Sequence, residues 1–534
     1  MRISLTALGA CALAASVSYT TLAYAAPSVG EVLDANHSAM GGSAWDGKAA
    51  LRAEYAYSGQ GMTGKITSLD DLKDGYWTDS FAIGPATGAN GFDGVHSWAK
   101  DPSGTVTLQD GGEQLPLAIN EGYRRANFLW RSDRAGAAVV SDGEKTDGAT
   151  VFNVLTVTPK GGKNFEVWFD AKTHLLSRIV EMQGTQTITS TLSDYRPVDG
   201  VEVPYREVVN NGDVKYDQTT TVTSVAFLPA QNQPVFSAPK VTISDFSIAG
   251  GAKETTFPFK LINNHIYADV NVDGKGPYQF IFDTGGVNLV TPPLAAELNL
   301  KTEGQMQGNG AGAGHMDVGL TKVAALELGE ATVKDQVFAV MPLNSMSVIE
   351  GVGMPGMIGF ETFRRFVTRV DYGAGTLTLI RPDAFDAKDS GVAVPFVFDG
   401  NSIEAPAVYD GVTGKFTIDT GSRASLTLNG PFATKNNLNK NGNGIDAVTG
   451  WGVGGPSRAV ALRGDTLSIG SMIVRGPVVE LSTDKGGAFA DASIAGNIGA
   501  GILKRYIVTL DYEHTTMYLK PVTRTVDDLD TFDR

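Results

Sequence analysis

Two apolar runs in this chain end on an acid, a hydroxyl and glycine: Phe280-Ile281-Phe282-Asp283-Thr284-Gly285-Gly286 and Phe416-Thr417-Ile418-Asp419-Thr420-Gly421-Ser422. A carboxylate at the end of a buried strand must find hydrogen-bond donors or shift its pKa. Two that meet can share one proton, the ionised member acting as base toward a water while the protonated one donates to a carbonyl oxygen. Asp283 and Asp419 are therefore the candidate catalytic pair, suited to amide hydrolysis. Gly285 and Gly421 let each loop turn tightly and present backbone N–H groups to the acids. Ser422 can donate to the outer oxygen of Asp419, whereas Gly286 offers no hydroxyl to Asp283. Such donation favours the charged form, so the shared proton is expected mainly on the Asp283 side of the pair.

The elements that must position this pair recur as well. Phe257-Pro258-Phe259 has a counterpart in Val394-Pro395-Phe396, and the turn Asp273-Gly274 has one in Asp410-Gly411, ahead of each acid strand. Downstream, Met357-Ile358-Gly359 is answered by Asn497-Ile498-Gly499, and Val370-Asp371-Tyr372 by Leu510-Asp511-Tyr512. Order is kept and the separation is nearly constant, the signature of a duplicated unit. Each copy contains two strands, the Asp-Thr-Gly loop, a glycine-rich middle, an apolar element ending in glycine, and a closing hairpin.

On these motifs the block resembles the single-chain, two-lobed aspartic proteases of the retropepsin and pepsin class, more closely the bacterial retropepsin-like enzymes. The resemblance implies a mainly β fold, with β-barrel lobes over residues 241–385 and 386–522. It implies that Thr284 and Thr420 interlock beneath the acids, each hydroxyl reaching the opposite loop, with an apolar pair and glycine crossing under each. Asn497 departs from that pair, and Gly286 from the commoner Ser, Thr or Ala. A glycine-rich flap from each lobe is implied too, at residues 308–314 with His315 and at residues 450–455. Gly310, Gly312, His315 and Trp451 are thus the candidate substrate contacts, and neither flap has the tyrosine of the pepsin branch. Both acids lie on one chain, so a monomer suffices for the site.

The first half reads differently. Residues 1–25 carry Arg2, an apolar run from Ile3 to Val17 and Ala23-Tyr24-Ala25, the pattern of an export signal. Leu8-Gly9-Ala10-Cys11 looks like a lipoprotein box, but the apolar run continues past it; Cys11 is the only cysteine, so the mature chain has no disulfide. Residues 26–226 read as a β domain: a short helix from Val29 to Met40, then strands such as Val151 to Val157, the period-two Phe165, Val167 and Phe169, and Val201 to Val209 after the turn Asp199-Gly200. The stretches Gly91-Phe92-Asp93-Gly94, Val167-Trp168-Phe169-Asp170 and Asp194-Tyr195-Arg196-Pro197 loosely resemble the periplasmic lipoprotein-carrier family, whose sheet forms a half-barrel around apolar cargo. That resemblance implies lipid or lipoprotein as a partner, with Trp77, Trp98, Trp130 and Trp168 as candidate cavity walls. Residues 227–240, proline-spaced and polar, read as a linker, and residues 523–534 as an acidic tail.

With 534 residues, 42% of them hydrophobic, and 64 glycines, the chain exceeds one core and is rich in turns. A net charge of −15 and a pI near 4.9 speak against nucleic acid and anionic membranes as partners. No stretch after the signal reaches about 18 apolar residues, so no transmembrane helix is expected. The 6 histidines lack metal-ligand spacing, and Asn439 to Asp446 has too few acids for calcium. Gly351-Val352-Gly353-Met354-Pro355-Gly356 fits a dinucleotide loop but lacks its βαβ setting, so no cofactor is expected. The reading is an exported aspartic endopeptidase acting on polypeptide, periplasmic, with secretion as the alternative. The runner-up is a protease fold that has lost turnover and binds lipid, lipoprotein or envelope polymer. In a third reading the first half inhibits the protease or presents substrate to it.

Overall fold

Alternating and β-branched strands, broken by Gly, Asp and Asn turns, give a mainly β molecule. The structure, a computed structural model, describes residues 27–438 and 444–523. The expected export signal with Cys11, the polar stretch from Asn439 to residue 443 and all but the first residue of the tail lie outside them.

Residues 50–228 form one 13-stranded antiparallel sheet. The chain starts at its middle with Ala50–Gly59, meanders to the edge at Val106–Leu108, crosses over, and re-enters at the opposite edge with Ala138–Asp147. It then works inward until Gln218–Leu228 pairs with the first strand. The turn at Asp199-Gly200 has φ of 50° and 86°, the conformation for which such a pair is suited.

Two helices lie on this sheet. Ser28 caps α1 (Val29–Ala39): its hydroxyl accepts from Glu31 N–H while the Glu31 carboxylate accepts from Ser28 N–H, which satisfies donors otherwise orphaned at the helix start. Val32 and Leu33 of α1 are buried against Leu155, Val157, Phe165 and Phe169. The second helix, α2 (Gln114–Arg125), falls in a region expected to be strands and turns. Leu115, Ala118, Ile119 and Tyr123 recur at helical spacing; the first three pack with Trp77 and Phe92, and Tyr123 packs with Phe165 and Val167. Gly122 brings the helix so close that a Cβ there would lie 2.2 Å from the Gly75 carbonyl oxygen.

Between the helices and the sheet is a cavity of about 490 Å3. Of the four tryptophans expected to line one, Trp130 does, joined by Trp45 at 5.4 Å between ring centres. Trp77 and Trp98 are instead core residues whose indole N–H groups donate to Ala118 and Phe236 carbonyls, and Trp168 lies between Lys145 and Arg178. The stretch expected as a linker is correspondingly docked: its Phe236 is fully buried.

From Phe246 onward three further sheets form. A 9-stranded sheet belongs to the first lobe and a 10-stranded sheet to the second. A 6-stranded sheet takes strands from both, joined where Val367–Asp371 pairs antiparallel with Tyr506–Asp511. The apolar core runs through both lobes, so the two acid strands are held in one rigid body. The first sheet's unit docks on this block at two places. Arg364 and Arg365 donate to the carbonyls of Val106 and Ser103, while Gly111 and Gly112 N–H groups donate to Phe398 O and the Glu404 carboxylate. The second place is the first flap, described below. Among the described residues no helix is long and apolar enough to cross a membrane.

Candidate active site

Asp283 directly follows the strand Lys275–Phe282, and Asp419 ends the strand Val412–Asp419. Each strand pairs in parallel with a short element beneath it, Gly356–Ile358 and Gly496–Gly499 respectively, so each acid emerges where two parallel strands diverge. The two loops lock together. Thr284 N–H donates to Thr420 Oγ1 at 3.1 Å and Thr420 N–H to Thr284 Oγ1 at 3.0 Å, while the two hydroxyls donate to Ile418 O (2.8 Å) and Phe282 O (2.9 Å). Both threonines are buried with their N–H groups and hydroxyls in use, so moving one loop breaks bonds of the other.

Above this lock the carboxyls face each other. Gly285 N–H donates to Asp283 Oδ1 (2.7 Å) and Gly421 N–H to Asp419 Oδ1 (2.9 Å). A Cβ on Gly421 would lie 2.2 Å from the Asp283 carboxyl carbon, and one on Gly285 would lie 3.1 Å from that of Asp419. Each loop glycine thus clears space for the opposite acid. Burial, then the adjacent Asp419 carboxylate, pushes the Asp283 carboxyl well above the ordinary carboxylate range, against the pull of the Gly285 and Gly421 N–H groups.

The asymmetry expected from Ser422 has a different source. The outer oxygen of Asp419 takes its hydrogen bond from Asn497 Nδ2 at 2.8 Å, and the Ser422 hydroxyl lies against Gly499 instead. In the first lobe Met357 occupies the corresponding place and has no proton to give. Gly286 is glycine for want of room, since a Cβ would stand 2.6 Å from Met357 Sδ and 2.9 Å from Asp283 Oδ2.

Residues 268–362 match the family model described as aspartyl protease. They contain the first acid loop, its flap and the element beneath it, so the resemblance carried by the motifs is matched at family level over this stretch. Similar solved structures include a retropepsin-like aspartic protease from Rickettsia conorii, 17% identical with a TM-score of 0.20, covering 24% of this chain and 92% of that one. A LolA superfamily protein from Nitrosomonas europaea is 13% identical with a TM-score of 0.29, covering 40% of this chain and 98% of that one. A DUF1329 family protein from Desulfovibrio piger is 14% identical with a TM-score of 0.27, covering 39% and 97%. No curated protein matches the chain.

The structure around the acid loops also holds supports that the motifs did not reveal. Asn288 Oδ1 accepts from Gly359 N–H (2.9 Å) and Thr362 Oγ1 (3.2 Å), and its own N–H donates to Glu361 (2.6 Å), tying the chain after the first acid to the element below. His265 Nε2 lies 2.9 Å from the Gly421 carbonyl and Nδ1 3.3 Å from Glu350, backing the second acid loop from the first lobe. Scattered singly, Asn288 and His265 gave no sequence signal. No group of three His, Cys, Asp or Glu side chains among the described residues is arranged to hold a metal ion.

Two hairpins form the flaps. Glu303–Gly308 with Met316–Leu328 makes the first, and Ile445–Gly452 with Gly455–Arg463 the second. Their tips meet: Gly312 N–H donates to Val453 O and Gly314 N–H to Gly454 O, both at 2.9 Å, and Ala488 N–H donates to Gly310 O. Gly310 and Gly312 therefore make the contact between flaps. His315, expected over the cleft, lies edge-on to Tyr216 of the first unit, 5.7 Å between ring centres, and Trp451 is 43% exposed on the second flap. Asp317, just past the first tip, accepts from Lys215 Nζ (2.6 Å) and Tyr216 OH (2.8 Å). Gln307 accepts from Gln186 and Asn211, and Gln305 N–H donates to Gln60 O. The first flap is thus held by the N-terminal unit along its length.

Proposed function

We propose that the two lobes are duplicated copies forming an aspartic endopeptidase, with Asp283 and Asp419 as its catalytic pair. The observation that carries this reading is the pairing of two half-buried carboxyls on loops cross-bonded through Thr284 and Thr420, with burial and the neighbouring acid raising Asp283. Ionised Asp419, steadied by Asn497, takes a proton from a water held between the acids, and that water attacks the scissile carbonyl carbon. Protonated Asp283 donates to the carbonyl oxygen, giving a neutral tetrahedral intermediate. Collapse of the intermediate returns a hydroxyl proton to Asp283 as the carbonyl re-forms, and expels the amine, which takes up the proton gained by Asp419. Thr284, Gly285, Thr420 and Gly421 hold the geometry, and the flaps keep the substrate out of bulk water. The signal-like sequence before residue 26 supports export, to the periplasm or beyond it.

The test is cleavage of an unbiased peptide mixture by the mature protein from about pH 4 to 7, beside Asp283→Asn and Asp419→Asn. The wild type is expected to cut and each variant to lose at least about a thousandfold in rate. A folded wild type that cuts nothing in this range overturns the enzyme reading and leaves a protease fold used for binding.

A further inference from the structure

The cavity of about 490 Å3 in the N-terminal unit is large enough for a small organic ligand and lies apart from the acid pair. Its lining is partly apolar, with Met40, Trp45, Trp130, Leu176, Ile179 and Leu192. It also carries several charged side chains, which a container for hydrocarbon alone would avoid.

These charges do not balance. Arg125 is bound by Asp70, Asp79 and Glu121, and Arg124 by Glu121 and Glu181. Two guanidiniums thus serve four carboxylates, which leaves the cluster with a net negative charge that disfavours an anion. Two further acids, Glu202 and Glu207, line the cavity and form no ion pair among the described residues; Glu207 lies beside Ser190. Against burial, Arg125 and Arg124 hold Glu121 below the usual carboxylate range. Glu207 is raised instead, first by burial and then by Glu121, and burial brings Asp70 up to about 6 despite Arg125. An incoming cation would relieve that cost; an incoming anion would add to it.

We propose that this cavity binds an amphipathic cation, an ammonium or guanidinium head on an apolar body, with Glu207 meeting the head and the apolar lining taking the body. Neither the lipid expected for this unit nor the protease chemistry requires such a site.

The experiment titrates the full mature chain near neutral pH with dodecylamine and dodecanoate below their micelle concentrations and with dodecanol below its solubility limit. It is read by tryptophan fluorescence, to which Trp45 and Trp130 contribute, and by calorimetry. Dodecylamine is expected to bind at least about tenfold more tightly than either companion. Glu207→Gln should remove most of that preference while leaving dodecanol binding unchanged. Equal binding of all three, or tighter binding of dodecanoate, overturns the proposal on the wild type alone and returns the cavity to lipid. Preference for the amine that survives intact in a folded Glu207→Gln protein overturns the role of Glu207.

Discussion

At the scale of single residues, the acid pair is made unequal by one amide. Asn497 Nδ2 donates to the outer oxygen of Asp419, while its own Oδ1 is buried with no hydrogen-bond partner among the described residues. Replacing it with leucine removes a stabiliser of the ionised carboxylate and also removes an unsatisfied atom, so the fold should tolerate the change. Loss of the donor raises the lower pKa of the pair, and the base is then ionised only at higher pH. The acid limb of the kcat/KM profile for peptide cleavage is expected to move up by about half to one pH unit in Asn497→Leu, the equivalent of one hydrogen bond of about 1 kcal/mol. An unmoved limb would mean that the amide is structural. Gly286→Ser is a poorer probe of the same asymmetry, because Met357 would first have to move.

At the scale of elements, the flaps meet through backbone, and glycine makes the meeting possible. A Cβ on Gly312 would lie 2.3 Å from the carbonyl carbon of Gly454, so Gly312→Ala must push the tips apart. The tips contribute no residue to the main core, so peptide cleavage should fall by about tenfold while the thermal midpoint stays close to wild type. A large drop in thermal midpoint would show instead that the tip contact stabilises the lobes. What was legible in the sequence follows from whether one local signal sufficed. The acid strands, their loops and the elements beneath them were legible because each motif appears twice in the same order. Helix α2 was not, although Leu115, Ala118, Ile119 and Tyr123 carry its spacing, because its surroundings are rich in strand and turn residues. The role of Phe236 was hidden by the prolines around it, and that of His315 by flap glycines that place it over the cleft by position alone. Asn497 was noticed only as an irregularity, since its donor role depends on where the opposite strand brings Asp419.

At the scale of the whole molecule, the N-terminal unit meets the second lobe across an acid pair. Glu404 is buried beside Asp399, accepts from Gly112 N–H, and is raised to about 7, first by burial and then by Asp399; Asp399 in turn accepts from Gln114. An unfolded glutamate titrates near 4.5, so the folded state binds the extra proton between that value and about 7. Its stabilising contribution is complete below the first value and is lost as pH rises through the second. Glu404→Gln keeps an acceptor for Gly112 and cannot ionise, so thermal melts should place it above wild type at about pH 8 and level with it at about pH 4. A variant less stable at both would show that the carboxylate itself is what the contact needs.

Asn211 belongs to two structures at once. Its side chain forms part of the cavity wall, and its amide holds Gln307 of the first flap. A group shared in this way cannot respond to one neighbour without informing the other. Whatever free energy the cavity's content adds to or takes from the hold on the flap, movement of the flap must return to the retention of that content. If a ligand in the N-terminal unit changes the hold on the flap, a polypeptide under the flaps must change the retention of that ligand in the same sense.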